Sequence, residues 1–248
     1  MDASWYVGEA IAGFVYLFVG MRLYLLSWRT GQLPETLIAA SFLLWVLSYA
    51  LYDIPYAFVG SDELISPVFA YGSLIALNLG NIAFLFFIRA VFRADARWAS
   101  WLVAVVTVHN LAGIAGMAYV GDWEGVNPLA NPWYWLEFCG GIASSVWIGA
   151  EGFSQYFKMR RRLKLGVCEP MVCNRFLLWG IAGLVWVALE AIVAVMDLGY
   201  ALTGHWSESL GMGIALFEIL PAVILSFVFF PPAFYRRWVE AAGGAENA

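Results

Sequence analysis

The side chains of this sequence with the most to offer chemically are polar groups set in apolar runs. Glu190 sits in Leu184-Val185-Trp186-Val187-Ala188-Leu189-Glu190-Ala191-Ile192-Val193, and Glu218 in Ala215-Leu216-Phe217-Glu218-Ile219-Leu220. Asn78, Asn81, His109, Asn110 and Ser144 have similarly apolar surroundings. An ionisable group at the bilayer centre costs about 2.5–3.5 kcal/mol on insertion scales, so it faces a bundle interior and marks a functional position. Counted from the ends of their segments, these side chains fall at similar depth, and polar atoms converging from separate helices are what a midplane binding site requires. The chemistry open to such a site is proton exchange and the binding of a small polar or cationic solute. Glu190 and Glu218 are expected to share a proton with each other or with His109. Trp186, one turn before Glu190, adds an aromatic face to the same site.

Spacing ties further residues to these. Glu137, Ser144 and Glu151 recur every seven residues and share one helix face. Gly141, Ser145 and Gly149 follow at spacing four, a small-residue ladder whose expected role is close helix packing. Pro221 stands three residues after Glu218 and frees the carbonyl of Phe217. That kink either exposes polar backbone beside the acid or is satisfied locally by Ser226. Asp197 continues the face of Glu190 by seven residues, as an access route from outside would.

The elements that must position these groups are read from composition. Of 248 residues, 62% are hydrophobic and only 12% charged, about half the charge of a soluble domain. A membrane-crossing helix needs about 20 predominantly apolar residues, and seven segments qualify, near 5–29, 34–53, 66–92, 98–121, 132–157, 174–200 and 209–231. The fold class is therefore all-α, one seven-helix transmembrane domain over 1–240 with a short polar tail at 241–248. The start of the chain shows no basic n-region and is not read as a removable signal peptide.

Charge gives the direction. All 13 Lys and Arg fall on one side of these spans: Arg22 and Arg29, Arg89 to Arg97, Lys158 to Arg175, and Arg236 with Arg237. The opposite connections carry Asp2, Asp53, Asp62, Glu63, Asp122, Glu124 and Glu208. Bases resist translocation, so the N-terminus is placed outside, the C-terminus in the cytoplasm, and the chain in a plasma (inner) membrane as a multi-pass protein. Trp5, Tyr6, Trp123, Trp133, Tyr134, Trp135 and Trp206 would anchor the outer edge, and Trp28, Trp98, Trp101, Tyr235 and Trp238 the inner one. Lys158, Arg160, Arg161, Arg162 and Lys164, in a loop over 158–175, would meet anionic headgroups.

Several functions are disfavoured. The net charge of −5 argues against nucleic acid. One His in the apolar segments and one outside them, His205, supply neither a zinc set nor a bis-His haem. No nucleophile elbow or phosphate loop appears, so an enzyme is the weakest reading and no cofactor or metal is expected. Cys139 in its span, and Cys168 and Cys173 in the basic loop, are read as structural.

An internal echo adds a topology. Arg29-Thr30-Gly31, Pro34-Glu35 and Phe42-Leu43-Leu44-Trp45 are answered by Lys164-Leu165-Gly166, Glu169-Pro170 and Phe176-Leu177-Leu178-Trp179. The matches fall in the same order in the first three and the last three segments, a parallel 3+1+3 arrangement. This topology resembles the rhodopsin-type bundle and the SWEET and PQ-loop transporters. The PQ motif itself is not intact, since Pro34-Glu35 and Glu169-Pro170 are placed in loops. Covalent retinal is excluded, because the segment 209–231 has no lysine. The run Arg161-Arg162-Leu163-Lys164-Leu165-Gly166 with Asn174-Arg175-Phe176-Leu177-Leu178-Trp179-Gly180 resembles bacterial seven-helix membrane proteins of no assigned function, which implies nothing about activity. The sequence leaves open a proton-coupled carrier of a small polar or cationic solute, a non-retinal sensor binding an apolar ligand, and an accessory subunit. Homo- or hetero-oligomers through helix packing are open as well.

Overall fold

The computed structural model describes residues 3–59, 67–121, 129, 131–205 and 208–245. Among the described residues all regular structure is helical: α1 (Ala3–Thr30), α2 (Leu33–Leu51), α3 (Asp53–Val59), α4 (Pro67–Phe92), α5 (Arg97–Val120), α6 (Pro132–Lys164), α7 (Pro170–Thr203), α8 (Glu208–Phe229) and α9 (Ala233–Ala245). Five stretches are long and apolar enough to cross a membrane: α1, α2 extended to Pro55, α4, α5 and α7. The last part of α8 qualifies together with α9, as a pair bent by 78°. These are the helices of an integral membrane protein. α6 is 33 residues long but falls short in apolarity, since Glu137, Glu151 and its glycines and serines interrupt the apolar part and its last turns carry Lys158, Arg160, Arg161, Arg162 and Lys164.

Sequence neighbours are also neighbours in space. α1 packs on α2, α2 on α4, α4 on α5, α5 on α6, α6 on α7 and α7 on α8, and α8 returns to α1. The long helices thus close a ring, and α4 touches α6 across it. In a bilayer, helix association depends on close van der Waals packing rather than on expelling water. The tightest seam is α6 against α7. A Cβ at Gly152 would strike the backbone of Gly180, and one at Gly183 would strike that of Gly149. Aromatic rings fill the middle of the ring of helices: Phe84 lies 5.5 Å from both Trp45 and Trp186, and Trp179 lies 5.5 Å from Phe87 and 5.8 Å from Phe229.

The structure corrects several expectations. Lys158 to Lys164 are not loop residues but the last turns of α6, which ends at Lys164, two residues before Gly166, whose φ of +69° suits glycine. Cys173 lies in the first turn of α7 rather than in a loop. Pro34 and Pro170 stand in the first turns of α2 and α7 instead of in loops. A proline fits there because those N–H groups have no helical partner to lose. The tail from 241 is helical as far as Ala245, as the end of α9. Cys139, expected to be buried in its span, is exposed on α6. Asp2, Asp62, Glu63, Asp122, Trp123, Glu124 and Trp206 lie outside the described residues, as do the side chains of Trp5, Tyr6 and Glu208.

Candidate functional site

One cavity lies inside the ring of helices, toward the ends that carry no bases. It measures about 460 Å³. Helix geometry explains who reaches it. On α6, Asn131 caps the N-terminus by accepting from Trp133 N at 3.1 Å, and Pro132 occupies the first turn. That start sets the register in which Tyr134, Glu137, Phe138, Gly141, Ser144 and Ser145 face inward, at the three- and four-residue steps of one helix face. On α7 the same steps bring Trp186, Leu189, Glu190, Val193 and Asp197 to the cavity. α2 contributes Trp45, Tyr49 and, just past its end, Asp53; α4 contributes Leu77, Asn81 and Phe84; α1 contributes Tyr16.

Four carboxylates, Asp53, Glu137, Glu190 and Asp197, therefore line one chamber whose lining contains no Lys, Arg or His. Glu218 stands behind it on α8, within reach of the charges of Asp53 and Glu190. Its Oε2 is buried and has no hydrogen-bond partner among the described residues. The other polar groups are tied down. Asn78 donates to Glu137 Oε1 at 2.7 Å and to Leu74 O at 3.0 Å. The Tyr134 hydroxyl donates to Asp197 Oδ2. Trp45 Nε1 donates to Asn81 Oδ1 at 3.0 Å. Aromatic rings make much of the rest of the wall, with Leu77, Leu189 and Val193 beside them.

Among the described residues no three His, Cys, Asp or Glu side chains come close enough to hold a metal ion. The acids surround a volume instead of converging on a point.

The sequence candidates divide on this map. Glu190, Asn81, Ser144 and Trp186 line the chamber. Asn78 is fully buried behind it and positions Glu137. His109 and Asn110, on α5, do not line it. Asn110 is fully buried against Gly140 of α6, where an added Cβ would collide with its amide oxygen. The ladder also divides: Gly141 lines the chamber, Gly149 packs on Gly183, and Ser145 does both, lining the cavity and packing its carbonyl on Gly183. Trp45, Trp147 and Trp186 are all buried rather than lipid-facing.

Other residues were legible only as something else. Tyr134, expected as an edge anchor, is buried and turned inward. Glu137, five residues from the start of α6, and Asp53, expected as an acid of an outer connection, both line the chamber. Their signal was present in part, because Glu137 and Ser144 share a face.

Glu151, the third member of that face, belongs to a different site. It is buried and accepts from Arg93 Nε at 2.6 Å and from Trp147 Nε1 at 3.3 Å. The hydrogen bond to Glu151 and its charge raise the Arg93 guanidinium above its ordinary value. Arg93 also lies 5.6 Å from the Trp98 ring. The pair joins the connection after α4 to α6 at the basic end, with the aromatic cluster between it and the chamber.

Comparison with family models, curated proteins and solved structures gives no match to this chain.

Proposed function

We propose that the chamber binds a small organic cation and that the protein carries it across the membrane in exchange for protons held on Glu190 and Glu218. The observation that carries this reading is four carboxylates and seven aromatic rings around one cavity without a basic residue in its lining. A buried anion is costly unless a partner neutralises it. Here no side chain of the lining can do so, which leaves a bound cation or a proton. An inorganic ion would need its ligands gathered at one point, and these are not. A larger cation with spread charge suits dispersed carboxylates, and the faces of Trp45, Trp186, Tyr16 and Tyr134 add cation–π attraction of about 0.5–2 kcal/mol.

Tetramethylammonium is the simplest probe. Binding to purified protein should quench tryptophan fluorescence, and Glu190→Gln should weaken it about tenfold. Uptake of a labelled quaternary ammonium into proteoliposomes should depend on a pH gradient. No binding of any ammonium ion ends this reading.

A second reading, a sensor that binds the cation without moving it, is favoured by the aromatic cluster that separates the chamber from the basic end. Binding with no flux under any gradient would select it. In either case we place the basic end in the cytoplasm of a plasma membrane, with Arg160, Arg161 and Lys164 against anionic headgroups.

A further inference from the structure

A second cavity shares two lining residues with the first. It is an apolar crevice of about 380 Å³ between α1 and the α2–α3 corner, with walls that include Gly13, Phe14, Leu17, Ala50, Ile54 and Phe58. Phe14 is 71% exposed and Phe58 86% exposed, so this face meets lipid chains rather than other helices. Tyr49 and Asp53 line both the crevice and the acidic chamber. Among the described residues Asp53 is the only charged one lining the crevice, and it borders both spaces. Beyond it, Glu218 presents a buried carboxylate oxygen with no hydrogen-bond partner among the described residues.

Each space restricts what the other can hold. The crevice offers hydrocarbon contact and takes no hydrated ion. The chamber takes positive charge and repels a phosphate, since four carboxylates line it. A phospholipid, whose tails would suit the crevice, therefore has the wrong head. One molecule satisfies both: a cationic head joined to a hydrocarbon tail.

We propose that the protein binds an amphiphilic monocation, a long-chain amine or quaternary ammonium, with its head in the acidic chamber and its tail in the α1–α2–α3 crevice, which serves as a side entrance from the bilayer. The proposal rests on the reading that the chamber binds an organic cation, and it adds the tail, the route and the ligand class. Asp53 meets the head at the junction, and Glu137, Glu190 and Asp197 receive it deeper in.

The test is a series of alkyltrimethylammonium ions, from tetramethylammonium to decyltrimethylammonium, binding to the full chain in lipid nanodiscs and read by tryptophan fluorescence. Affinity should rise by about fourfold per methylene, the value of burying one CH₂, until the crevice is full. Gly13→Leu should flatten that rise while leaving tetramethylammonium unchanged, because a Cβ at Gly13 meets only Tyr49, at an ordinary 3.8 Å. Ala50→Leu, on an exposed crevice position, is the second variant should the first not fold. Decyl sulfate, with a similar tail and the opposite charge, should not bind. An unchanged chain-length slope in both variants would mean partition into the bilayer and would overturn the proposal, as would equal binding of decyl sulfate. Tetramethylammonium binding with no gain from longer tails would overturn it too, while leaving the chamber as a cation site. Failure of every ammonium ion would remove both.

Discussion

Trp45 and Asn81 hold each other across the α2–α4 contact: the indole Nε1 donates to the amide Oδ1 at 3.0 Å. The bond turns the Asn81 amide nitrogen toward the space above Gly141, where a Cβ would stand 3.7 Å from it and 4.0 Å from Glu190 Oε1. Gly141 thus leaves open the gap between an amide donor and a carboxylate. Gly141→Ala should be tolerated, since both contacts are ordinary van der Waals distances. Gly141→Leu should occupy the gap and reduce ammonium binding at least tenfold, with the thermal midpoint in detergent little changed. Binding retained in a folded Gly141→Leu protein would place the ligand elsewhere.

Gly80 supports the same pair from behind. A Cβ there would come within 2.6 Å of Trp45 Cδ1 and 2.7 Å of its Nε1. Gly80→Ala should therefore displace the indole and break its bond to Asn81, costing about 1–3 kcal/mol as overpacking or as an unpaired buried donor. The measurement is the thermal midpoint beside that of Gly72→Ala, where the added Cβ meets only Leu51, at 3.3 Å. Equal midpoints for the two variants would contradict the account.

The Arg93–Glu151 pair gives an asymmetric prediction. Glu151 is 6% exposed by side chain and Arg93 33%. Arg93→Ala strands a buried carboxylate and should cost about 3 kcal/mol, the low end for breaking a buried pair, because water reaches the arginine. Glu151→Gln should cost less, since it removes the buried charge and leaves a partly exposed arginine that water can solvate. Adding Glu151→Gln to Arg93→Ala should then restore part of the loss. A double-mutant cycle on detergent unfolding reads the coupling, and strict additivity would show that the pair contributes nothing.

At the α6–α7 seam, Gly152→Ala and Gly183→Ala drive a methyl into opposing backbone. Backbone cannot step aside as a side-chain tip can. Each should cost about 1–3 kcal/mol or prevent folding. Gly199→Ala on the same α7, where a Cβ meets nothing within 4 Å, should be neutral or stabilising. Comparable yield and midpoint for all three variants would refute the seam.

Much of the fold was legible from the sequence because it depends on local facts. Apolar runs long enough to span a bilayer give helices, and Glu190 stands out because no local neighbour explains an acid there, whereas Pro34 and Pro170, read as loop residues, begin α2 and α7. Even so, α6 ran further than expected, since a helix carrying arginines at its end reads like a loop when hydropathy is the guide.

The chamber was decided by tertiary structure. Periodicity showed that Glu137 and Ser144 share a face, but not which way that face points. Lipid and protein interior are equally apolar, so the pattern that separates core from surface in water is weak in a membrane. Asp53, Tyr134, Glu137 and Asp197 lie near helix ends, where acids and aromatics are ordinary interfacial residues. Only the return of α8 onto α1 closes the ring that turns these side chains toward one another. The residue types and the helical periods are properties of the sequence; that four acids surround one space without a base among them is a property of the packing.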